Sequence, residues 1–530
     1  MDKGKVHQTA GLCVLLLAFV LAGNSGVRLT APISPNVLLA TVQVDLSGRG
    51  RVIPDDFDGL AAEYQGIQPY LGASPNAPNK VFRQLLRNLG PGTLRIGGTS
   101  TDSACWNPSH ILLPPNCAFA VDHNTLSTVF QAAQAVHWRV IIGVNLARND
   151  ARSAVAYAHE GVVAAAPSRT LLGLEIGNEP DLYPTRPYVS PVHAGPIVYT
   201  RSSSYSFPQY LREFNSYSVA LGRDPTTRVL PLMGPSVVYS FERQLGSFAM
   251  EVAPHRLEAV TVHYYPLNIC TRHAAARATI SNLLGQPTMD SMIYRIASFV
   301  AMTRAAHQRL QLDELNTVAC GGQDGISNSF ASALWGLDAL FRLAETGVEH
   351  VNFHSGQGLD AYDPITSSAD YAPVTHRWSY TNAAQPLYYA MLLFSRAAGR
   401  SLLPTAVVGT AANIEAYTVT DGMTTRVFLI NKDLKAHGRV TIVPSHPLGA
   451  ATALVLKAST LGATTGTTLG GQTIGGTTGI FPTPTTTALY PDARTHSYTV
   501  DLPIASAVML SIASSPAYAT RRLSVSSAGR

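Results

Sequence analysis

The chain has 530 residues, a formal net charge of +5, 46% hydrophobic residues and only 13% charged residues. This length accommodates an α/β barrel plus a second domain, and the ordinary apolar content excludes a largely disordered chain. The mild positive charge is dispersed without long basic runs, so the sequence predicts no nucleic-acid partner.

The first 26 residues have the pattern of a secretory signal peptide. Lys3 and Lys5 precede a short apolar run at residues 12–22, and small residues follow it up to Gly26. The run is too short for a stable membrane span, and no other segment approaches the ~20 apolar residues that a span requires. We expect cleavage within residues 22–26, a secreted (extracellular or periplasmic) protein and no membrane contact after cleavage. An uncleaved signal anchor is the alternative.

Strand and helix patterns alternate regularly between residues 53 and 398. The predicted strands occupy residues 57–64, 93–96, 139–146, 171–176, 229–234, 257–264, 310–315 and 350–354. The predicted helices occupy residues 80–88, 126–135, 151–165, 206–221, 241–252, 292–308, 330–345 and 386–398. Eight βα units in strict alternation predict a (β/α)₈ TIM barrel at residues 53–398. The rival fold, a doubly wound open sheet, would need a G-x-G-x-x-G turn that residues 95–100 (RIGGTS) do not have.

Short strands rich in β-branched residues follow the barrel. They are predicted at residues 405–409, 415–420, 425–429, 439–442, 497–502 and 507–512. The apolar, partly alternating segment 37–46 precedes the barrel and is expected to pair with them. We therefore predict a β-sandwich formed from residues 30–52 and 399–514, with a loose Gly/Thr-rich loop at residues 458–487. Residues 515–530 are predicted to be a flexible tail.

The cysteine count indicates two disulfides in an exported chain. Cys13 lies in the predicted signal peptide, which leaves Cys105, Cys117, Cys270 and Cys320. Four cysteines allow three pairings. The local choice is Cys105–Cys117, and it leaves Cys270–Cys320 to tie two strand-end loops together.

Active sites of such barrels lie where the strands end at the C-terminal face, so acidic residues there are candidates for catalysis. Glu179 follows the fourth strand and precedes a proline, which predicts an extended or turn backbone. Glu314 ends the seventh strand, 135 residues further on. Glu175 and Asp313 are expected to point outward or into helix packing, because side chains alternate along a strand.

Two carboxyl groups at one barrel mouth are what glycoside hydrolysis requires. One protonates the leaving oxygen, and in retaining enzymes the other attacks the anomeric carbon from about 5–5.5 Å away. We expect Glu179 to be the general acid/base and Glu314 the nucleophile. The acid must be protonated near working pH, so its pKa is expected to be raised by burial and by the neighbouring carboxylate.

The sequence Asn178-Glu179-Pro180 resembles the acid/base motif of clan A glycoside hydrolases, whose nucleophile ends strand seven. The whole pattern is similar to glycoside hydrolase family 79, the β-glucuronidase and heparanase group. The stretches that carry this resemblance are residues 94–99, 263–266, 313–316 and 386–389. The resemblance implies a retaining β-glucuronidase that acts on a carbohydrate with a terminal β-linked uronic acid. It implies no metal and no cofactor.

The resemblance also implies roles for residues around the two glutamates. These are Asn178 on the sugar 2-hydroxyl, Tyr264 orienting the nucleophile, Glu63 and Thr99 on sugar hydroxyls, and Gly356 and Tyr362 donating a backbone N–H and a hydroxyl to the uronate carboxylate. Simpler roles compete with some of these. Glu63 could pair with Arg95 in a structural ion pair, and Tyr264 could be barrel packing. His263 and His354 are interpreted as satisfied core histidines.

Other functions stay open at this stage. Within enzymes they are another clan A retaining exoglycosidase, such as a β-glucosidase or β-xylosidase, and a heparanase-like endo-β-glucuronidase. From a different class, the alternative is a carbohydrate-binding barrel that has lost catalysis. The presence of both glutamates argues against that last alternative.

Overall fold

The computed structural model describes residues 37–513, except for residues 115, 168, 188–198, 253–255, 276, 357 and 359. The predicted signal peptide (residues 1–26) and tail (residues 515–530) lie outside the described residues. Every helix within the described residues is too short or too polar to cross a bilayer.

Eight parallel strands close into a barrel, which confirms the predicted fold. The strands are β1 (Asp58–Ala62), β2 (Thr93–Ile96), β3 (Arg139–Val144), β4 (Leu171–Ile176), β5 (Leu232–Val237), β6 (Leu257–Tyr264), β7 (Leu310–Leu315) and β8 (Val351–Ser355). Neighbours in sequence are neighbours in the barrel, and β8 closes against β1. All eight C-terminal ends therefore meet at one mouth.

The strand β5 begins at Leu232, three residues later than predicted. Asp224 explains the shift, because its side chain accepts hydrogen bonds from the N–H groups of Thr226 and Thr227 and closes a turn. That turn leaves Val229 75% exposed, although its residue type suggested a strand.

Helices surround the barrel in the predicted order. They are α1 (Lys80–Leu89), α2 (His123–Gln134), α3 (Ala151–Ala156), α4 (Phe207–Arg223), α5 (Leu245–Glu251), α6 (Gln286–Ala305), α7 (Phe330–Thr346) and α8 (Pro386–Phe394). A π-helical segment, Tyr157–Val163, continues α3. The first three helices begin where Asn79, Asp122 and Asp150 each accept a backbone N–H three residues on. Such caps satisfy N–H groups that the helix itself leaves unpaired.

Several short elements lie in the loops between the barrel strands and helices. A hairpin that the sequence analysis did not predict, Ile365–Ala372 with Arg377–Ala384, follows β8. The smaller helices are Tyr64–Gly66, Ile67–Leu71, Thr99–Ser103, Pro180–Leu182, Glu242–Gln244, Arg272–Ala275 and Ile280–Leu284. The smaller strands are Gly72–Ser74, Ala77–Pro78, Ala104–Trp106, Phe119–Val121, Leu267–Asn268 and Val318–Ala319.

Two sheets from the chain ends pack into the predicted sandwich. One sheet contains Thr405–Val408, Val37–Val44, His437–Pro444 and Tyr498–Leu502, in that order. The other contains Ser401–Leu403, Ile414–Thr420, Thr424–Asn431, Ser506–Ala513, Ala451–Lys457, Thr468–Leu469 and Thr487–Leu489. The N-terminal strand pairs parallel to His437–Pro444, as expected for segment 37–46. Buried aliphatic side chains from both sheets, such as Val42, Val440 and Leu510, form the core between them.

A buried polar contact joins the sandwich to the barrel. Asp338 of α7 accepts hydrogen bonds from the Tyr417 hydroxyl at 2.5 Å and from Lys432 Nζ at 2.5 Å. Phe341, one turn further along α7, stacks on Tyr417 with ring centroids 4.6 Å apart. The charges of Asp338 and Lys432 tolerate burial because they compensate each other.

Both predicted disulfides are present. Cys105 joins Cys117, and Cys270 joins Cys320, each with Cα atoms 5.6 Å apart. The second bridge links the loop after β6 to the loop after β7, so it restrains two loops at the mouth of the barrel.

Candidate active site

The barrel brings Glu179 and Glu314 together. Glu179 follows β4 and Glu314 lies near the end of β7. One carboxylate oxygen from each, together with a ring nitrogen of His263, lie within 4.8 Å of one another. Both glutamates are largely buried, with 9% and 6% of their surface exposed. The separation suits a nucleophile and an acid/base that act on one glycosidic bond with retention.

The backbone at Glu179 is left-handed, with φ +48° and ψ +55°, rather than the extended or ordinary turn form that the following proline predicts. Two hydrogen bonds hold it there. The Glu179 N–H donates to the Ser236 carbonyl at 2.8 Å, and the Glu179 carbonyl accepts from the Leu182 N–H at 2.9 Å. Strain of this kind is typical of functional positions.

Arg95 of β2 is the centre of the site, and sequence reasoning missed its role. Its fully buried guanidinium donates to Glu175 Oε2 at 2.6 Å, to Glu314 Oε2 at 2.9 Å and to Asn178 Oδ1 at 2.9 Å. One cation thus fixes the carboxylate of Glu314 and orients Asn178 beside it. The available signal was an arginine on a buried strand that ends at the mouth.

The expectation that Glu175 and Asp313 point outward is wrong. Both side chains are fully buried, and Asp313 Oδ2 lies 3.4 Å from Arg95 Nε. The strands are irregular here: the register of β7 against β8 shifts between Leu312 and Leu315. An irregular strand does not keep strict alternation, so Asp313 and Glu314 both reach the interior.

His263 is buried as predicted for a core histidine, but it is also part of the site. Its Nδ1 lies 2.9 Å from Glu179 Oε1 and 3.6 Å from Glu314 Oε2. His354 lies on the other side of the nucleophile, with Nδ1 3.7 Å from Glu314 Oε2 and Nε2 3.9 Å from Glu63 Oε1. Both histidines therefore contact the charges that would carry catalysis.

The hydroxyl of Tyr265, and not that of Tyr264, contacts Glu314. The Tyr265 hydroxyl donates to Glu314 Oε1 at 2.7 Å. Tyr264 ends β6 and packs against the hydrophobic core, which is the simpler role considered for it. The two tyrosines are adjacent, and the register shift between Val262 and His263 decides which one faces the site.

Glu63 does not pair with Arg95. Its carboxylate accepts backbone N–H groups from Thr99 at 2.9 Å and Ser100 at 2.7 Å, and it also bonds the Ser100 hydroxyl. Burial is the main cause that raises the pKa of Glu63. Thr99 reaches Glu63 through its backbone, and its exposed side chain is left facing solvent.

The assignment of the Gly356 N–H to a uronate carboxylate is contradicted, because that N–H already donates to Asp363 Oδ1 at 2.9 Å. Tyr362 does lie beside the site. Its ring centroid is 5.6 Å from that of His354 and 6.2 Å from that of Tyr265. Its ring therefore lies among the side chains that surround Glu314.

The surroundings set the two glutamates apart from ordinary acids. Burial raises the pKa of Glu314, but the charges of His263, His354 and Arg95 outweigh it and hold that pKa well below its usual range. Burial also raises the pKa of Glu179, but the hydrogen bond from His263 and the charge of Arg186 outweigh it. The expected raised pKa of the acid is therefore wrong: His263 and Arg186 favour the ionised form.

The cluster of Glu179, His263 and Glu314 has the atom types of a metal site, but its charges disfavour a cation. Arg186 contacts Glu179 at 2.5 Å and Arg95 contacts Glu314 at 2.9 Å. Each carboxylate is already compensated by a guanidinium, and a cation between them would be repelled by both. The arrangement is suited to moving protons and holding an anionic nucleophile.

Comparison with known proteins agrees with this geometry. No model of a known protein family matches the chain. Over 372 residues the chain is 24% identical to a β-glucuronidase of Neurospora crassa. The chain resembles β-glucuronidases, as its motifs predict. The match covers 63% of this chain and 64% of that relative, so it spans less than two thirds of the relative's length.

Solved structures share the fold. A 4-O-α-L-rhamnosyl-β-D-glucuronidase from Fusarium oxysporum superposes with a TM-score of 0.69 and 19% identity, over 89% of this chain and 100% of that one. A family 51 arabinofuranosidase from Xanthomonas axonopodis pv. citri superposes with a TM-score of 0.64 and 15% identity, over 89% and 100%. These superpositions establish the barrel and sandwich architecture, whereas identities this low leave the substrate open.

Proposed function

We propose that the protein is a retaining glycoside hydrolase that cleaves β-glucuronosides. The observation that carries this proposal is the meeting of Glu179 and Glu314 within 4.8 Å at the mouth of the barrel. That spacing of the nearest oxygens is closer to the ~5–5.5 Å between the carboxyl groups of retaining enzymes than to the ~6.5–9.5 Å of inverting enzymes.

The chemistry follows from the contacts. Glu314, held ionised by Arg95 and aligned by the Tyr265 hydroxyl, attacks the anomeric carbon. Glu179 delivers a proton to the glycosidic oxygen, and the leaving group departs. The same glutamate then takes a proton from the water that hydrolyses the glycosyl-enzyme. Asn178, oriented by Arg95, is placed to bond a sugar hydroxyl next to the anomeric carbon.

The glucuronide is proposed as the sugar for two reasons. A relative with detectable sequence similarity is a β-glucuronidase. In addition, Tyr362 places a hydroxyl-bearing ring near Tyr265 and His354, where a uronate carboxylate can accept hydrogen bonds. A neutral sugar gains less from such donors, which is why β-glucosides and β-xylosides are the weaker alternatives.

The test is a panel of 4-nitrophenyl glycosides with the purified protein: β-glucuronide, β-glucoside, β-galactoside, β-xyloside and α-L-arabinofuranoside. We expect the β-glucuronide to be cleaved faster than every other member. A Glu314→Gln protein, prepared in the same way, controls for contaminating glycosidases. A preference for a neutral sugar would overturn the substrate, and full activity of the Gln variant would overturn the mechanism.

The protein is also proposed to be exported. The N-terminal pattern of residues 1–26 and the two disulfides support this, since such bridges persist in oxidising compartments. Mass spectrometry of the native mature protein should find an N-terminus within residues 23–27. An intact Met1 would contradict export by a cleaved signal.

A further inference from the structure

We propose that Glu179 and His263 hold one proton between them, and that this pair, rather than Glu179 alone, supplies the proton to the leaving group. His263 is then a positioning residue that acts through Glu179. The inference rests on the proposed function and deepens it, because it says where the catalytic proton resides before the bond breaks.

Both oxygens of Glu179 lie against nitrogen atoms. Oε1 lies 2.9 Å from His263 Nδ1, and Oε2 accepts from a guanidinium nitrogen of Arg186 at 2.5 Å. Arg186 is itself fixed, since its other nitrogen donates to the Asn178 carbonyl at 2.9 Å. The contact between Oε1 and Nδ1 is short enough for one proton to lie on either atom. The guanidinium at Oε2 favours the ionised carboxylate, so we assign the resting proton to His263.

Charged groups from three other barrel segments surround His263. They are Arg95 on β2, Glu175 on β4 with Glu179 just after it, and Asp313 and Glu314 on β7. Carboxylates dominate this set: Asp313 Oδ1 lies 3.7 Å from Nε2, and Glu314 Oε2 lies 3.6 Å from Nδ1. Burial lowers the pKa of His263, but the charges of Glu314 and Asp313 outweigh it and raise that pKa well above its usual value. Arg95, 3.3 Å from Nε2, opposes protonation but is itself shared among three carboxylates.

One proton is passed on in the first chemical step and recovered in the second. The proton on His263 Nδ1 moves to Glu179 Oε1, and Glu179 passes a proton to the glycosidic oxygen as the bond to the anomeric carbon breaks. Glu314 forms the new bond to that carbon, and His263 is left neutral. In the second step the attacking water gives a proton to Glu179, which returns one to Nδ1. The Arg186 contact keeps Glu179 ionised between these events, as the base role requires.

The test uses His263→Asn, which keeps an N–H donor but cannot carry the proton. The rate is measured against pH with phenyl β-glucuronide, a poor leaving group, and with 2,4-dinitrophenyl β-glucuronide, which needs no protonation. We expect the basic limb of kcat/KM for the phenyl substrate to move about one pH unit or more toward acid. At neutral pH that substrate should lose on the order of tenfold to a hundredfold, while the activated substrate loses much less.

The matched control is His350→Asn. His350 is also a buried barrel histidine, but it bonds the Asp56 carbonyl at the opposite end of β8. Its substitution should leave the pH profile unchanged. An unmoved basic limb in His263→Asn, or equal losses on both substrates, would overturn the shared proton and leave His263 a structural role. If neither substrate is cleaved by the wild-type protein, the proposed function itself fails.

A second measurement needs no variant. The basic limb of the wild-type protein is recorded at several temperatures. Loss of a proton from an imidazolium has a large heat of ionisation, so the limb should move toward acid on warming. A limb that does not move with temperature would indicate a carboxylic acid and would contradict the pair.

Discussion

Two regions of this molecule bury charged side chains, and they do so in opposite ways. At the contact between barrel and sandwich, one fully buried carboxylate, Asp338, meets one ammonium, Lys432, and accepts a tyrosine hydroxyl. The partly exposed Glu415 lies 3.6 Å from the same ammonium. At the mouth of the barrel, four carboxylates crowd around two guanidinium groups and two imidazoles. These carboxylates are Glu175, Glu179, Asp313 and Glu314.

The difference teaches what each region is for. Where one buried carboxylate faces one buried ammonium, the two charges compensate each other and hold two domains in place. An excess of buried carboxylates cannot stay fully ionised, so protons must be shared among neighbours. At the mouth, burial and the charge of Asp313 raise the pKa of Glu175, whereas cations lower the pKa of Glu314. The mouth therefore shifts the pKa values of neighbouring acids in opposite directions, as acid–base chemistry requires.

The largest expected effect separates activity from stability. Glu314→Gln should reduce turnover by roughly 10⁴-fold or more, because the nucleophile is lost. Its melting temperature should fall only modestly: the surrounding cations hold the pKa of Glu314 low, so the fold favours the charge that the substitution removes. Calorimetry together with the glucuronide assay checks both halves. A variant that melts much earlier would mean that Glu314 is structural as well.

The second effect concerns the acid/base. Glu179→Ala should slow the cleavage of phenyl glucuronide by about 10²–10⁴-fold, but that of an activated aryl glucuronide far less. Added azide should restore turnover of the activated substrate and yield a β-glucuronosyl azide, which NMR identifies. An α-configured azide, or none, would contradict retention.

In the third prediction, stability is lost and activity is kept, the opposite of the first. Lys432→Met leaves Asp338 buried without its cation and should reduce the free energy of unfolding by about 3–5 kcal/mol. The kcat/KM of the folded fraction should stay within about twofold of the wild type, because the interface is not part of the site. Urea denaturation measures the loss. The control is Lys435→Met, which replaces an exposed lysine three residues after Lys432 and should change the free energy of unfolding little.

The smallest effect distinguishes two adjacent tyrosines. Tyr265→Phe removes the hydrogen bond to Glu314 and should lower kcat/KM on the order of 10- to 100-fold, the worth of a bond to a charged group. Tyr264→Phe removes a hydroxyl that does not contact the nucleophile and should leave kcat/KM within about twofold. Comparable losses of kcat/KM from both substitutions would indicate that the Tyr264 hydroxyl also acts on Glu314.

Much of the architecture could be predicted because it follows from local pattern. The strands β2, β4, β6 and β7 begin and end where apolar runs predicted them. A buried parallel strand is a continuous apolar segment, and that signal survives without any knowledge of neighbours. The errors occur where local chemistry competes, as in the turn at Asp224 that delays β5.

The site was predictable only in part. Glu179 and Glu314 could be assigned because each lies at a strand end, and barrel topology brings all such ends to one mouth. Tyr265 and the inward side chain of Asp313 could not be assigned from alternation, because alternation fails where the register of β6 and β7 shifts. Arg95 could not be assigned because its partners come from other strands and are set by the closed barrel.

The amino-acid sequence by itself determined the eight βα units, the sandwich built from both chain ends, and the two glutamates. These follow from hydrophobic period and from position along the chain. Only the tertiary structure decided which neighbours shift the pKa values of those glutamates, because a pKa depends on the atoms within a few ångströms of the group. Arg186 and His263, which lie far apart in the chain, meet on Glu179 and reverse the pKa shift that burial alone would cause.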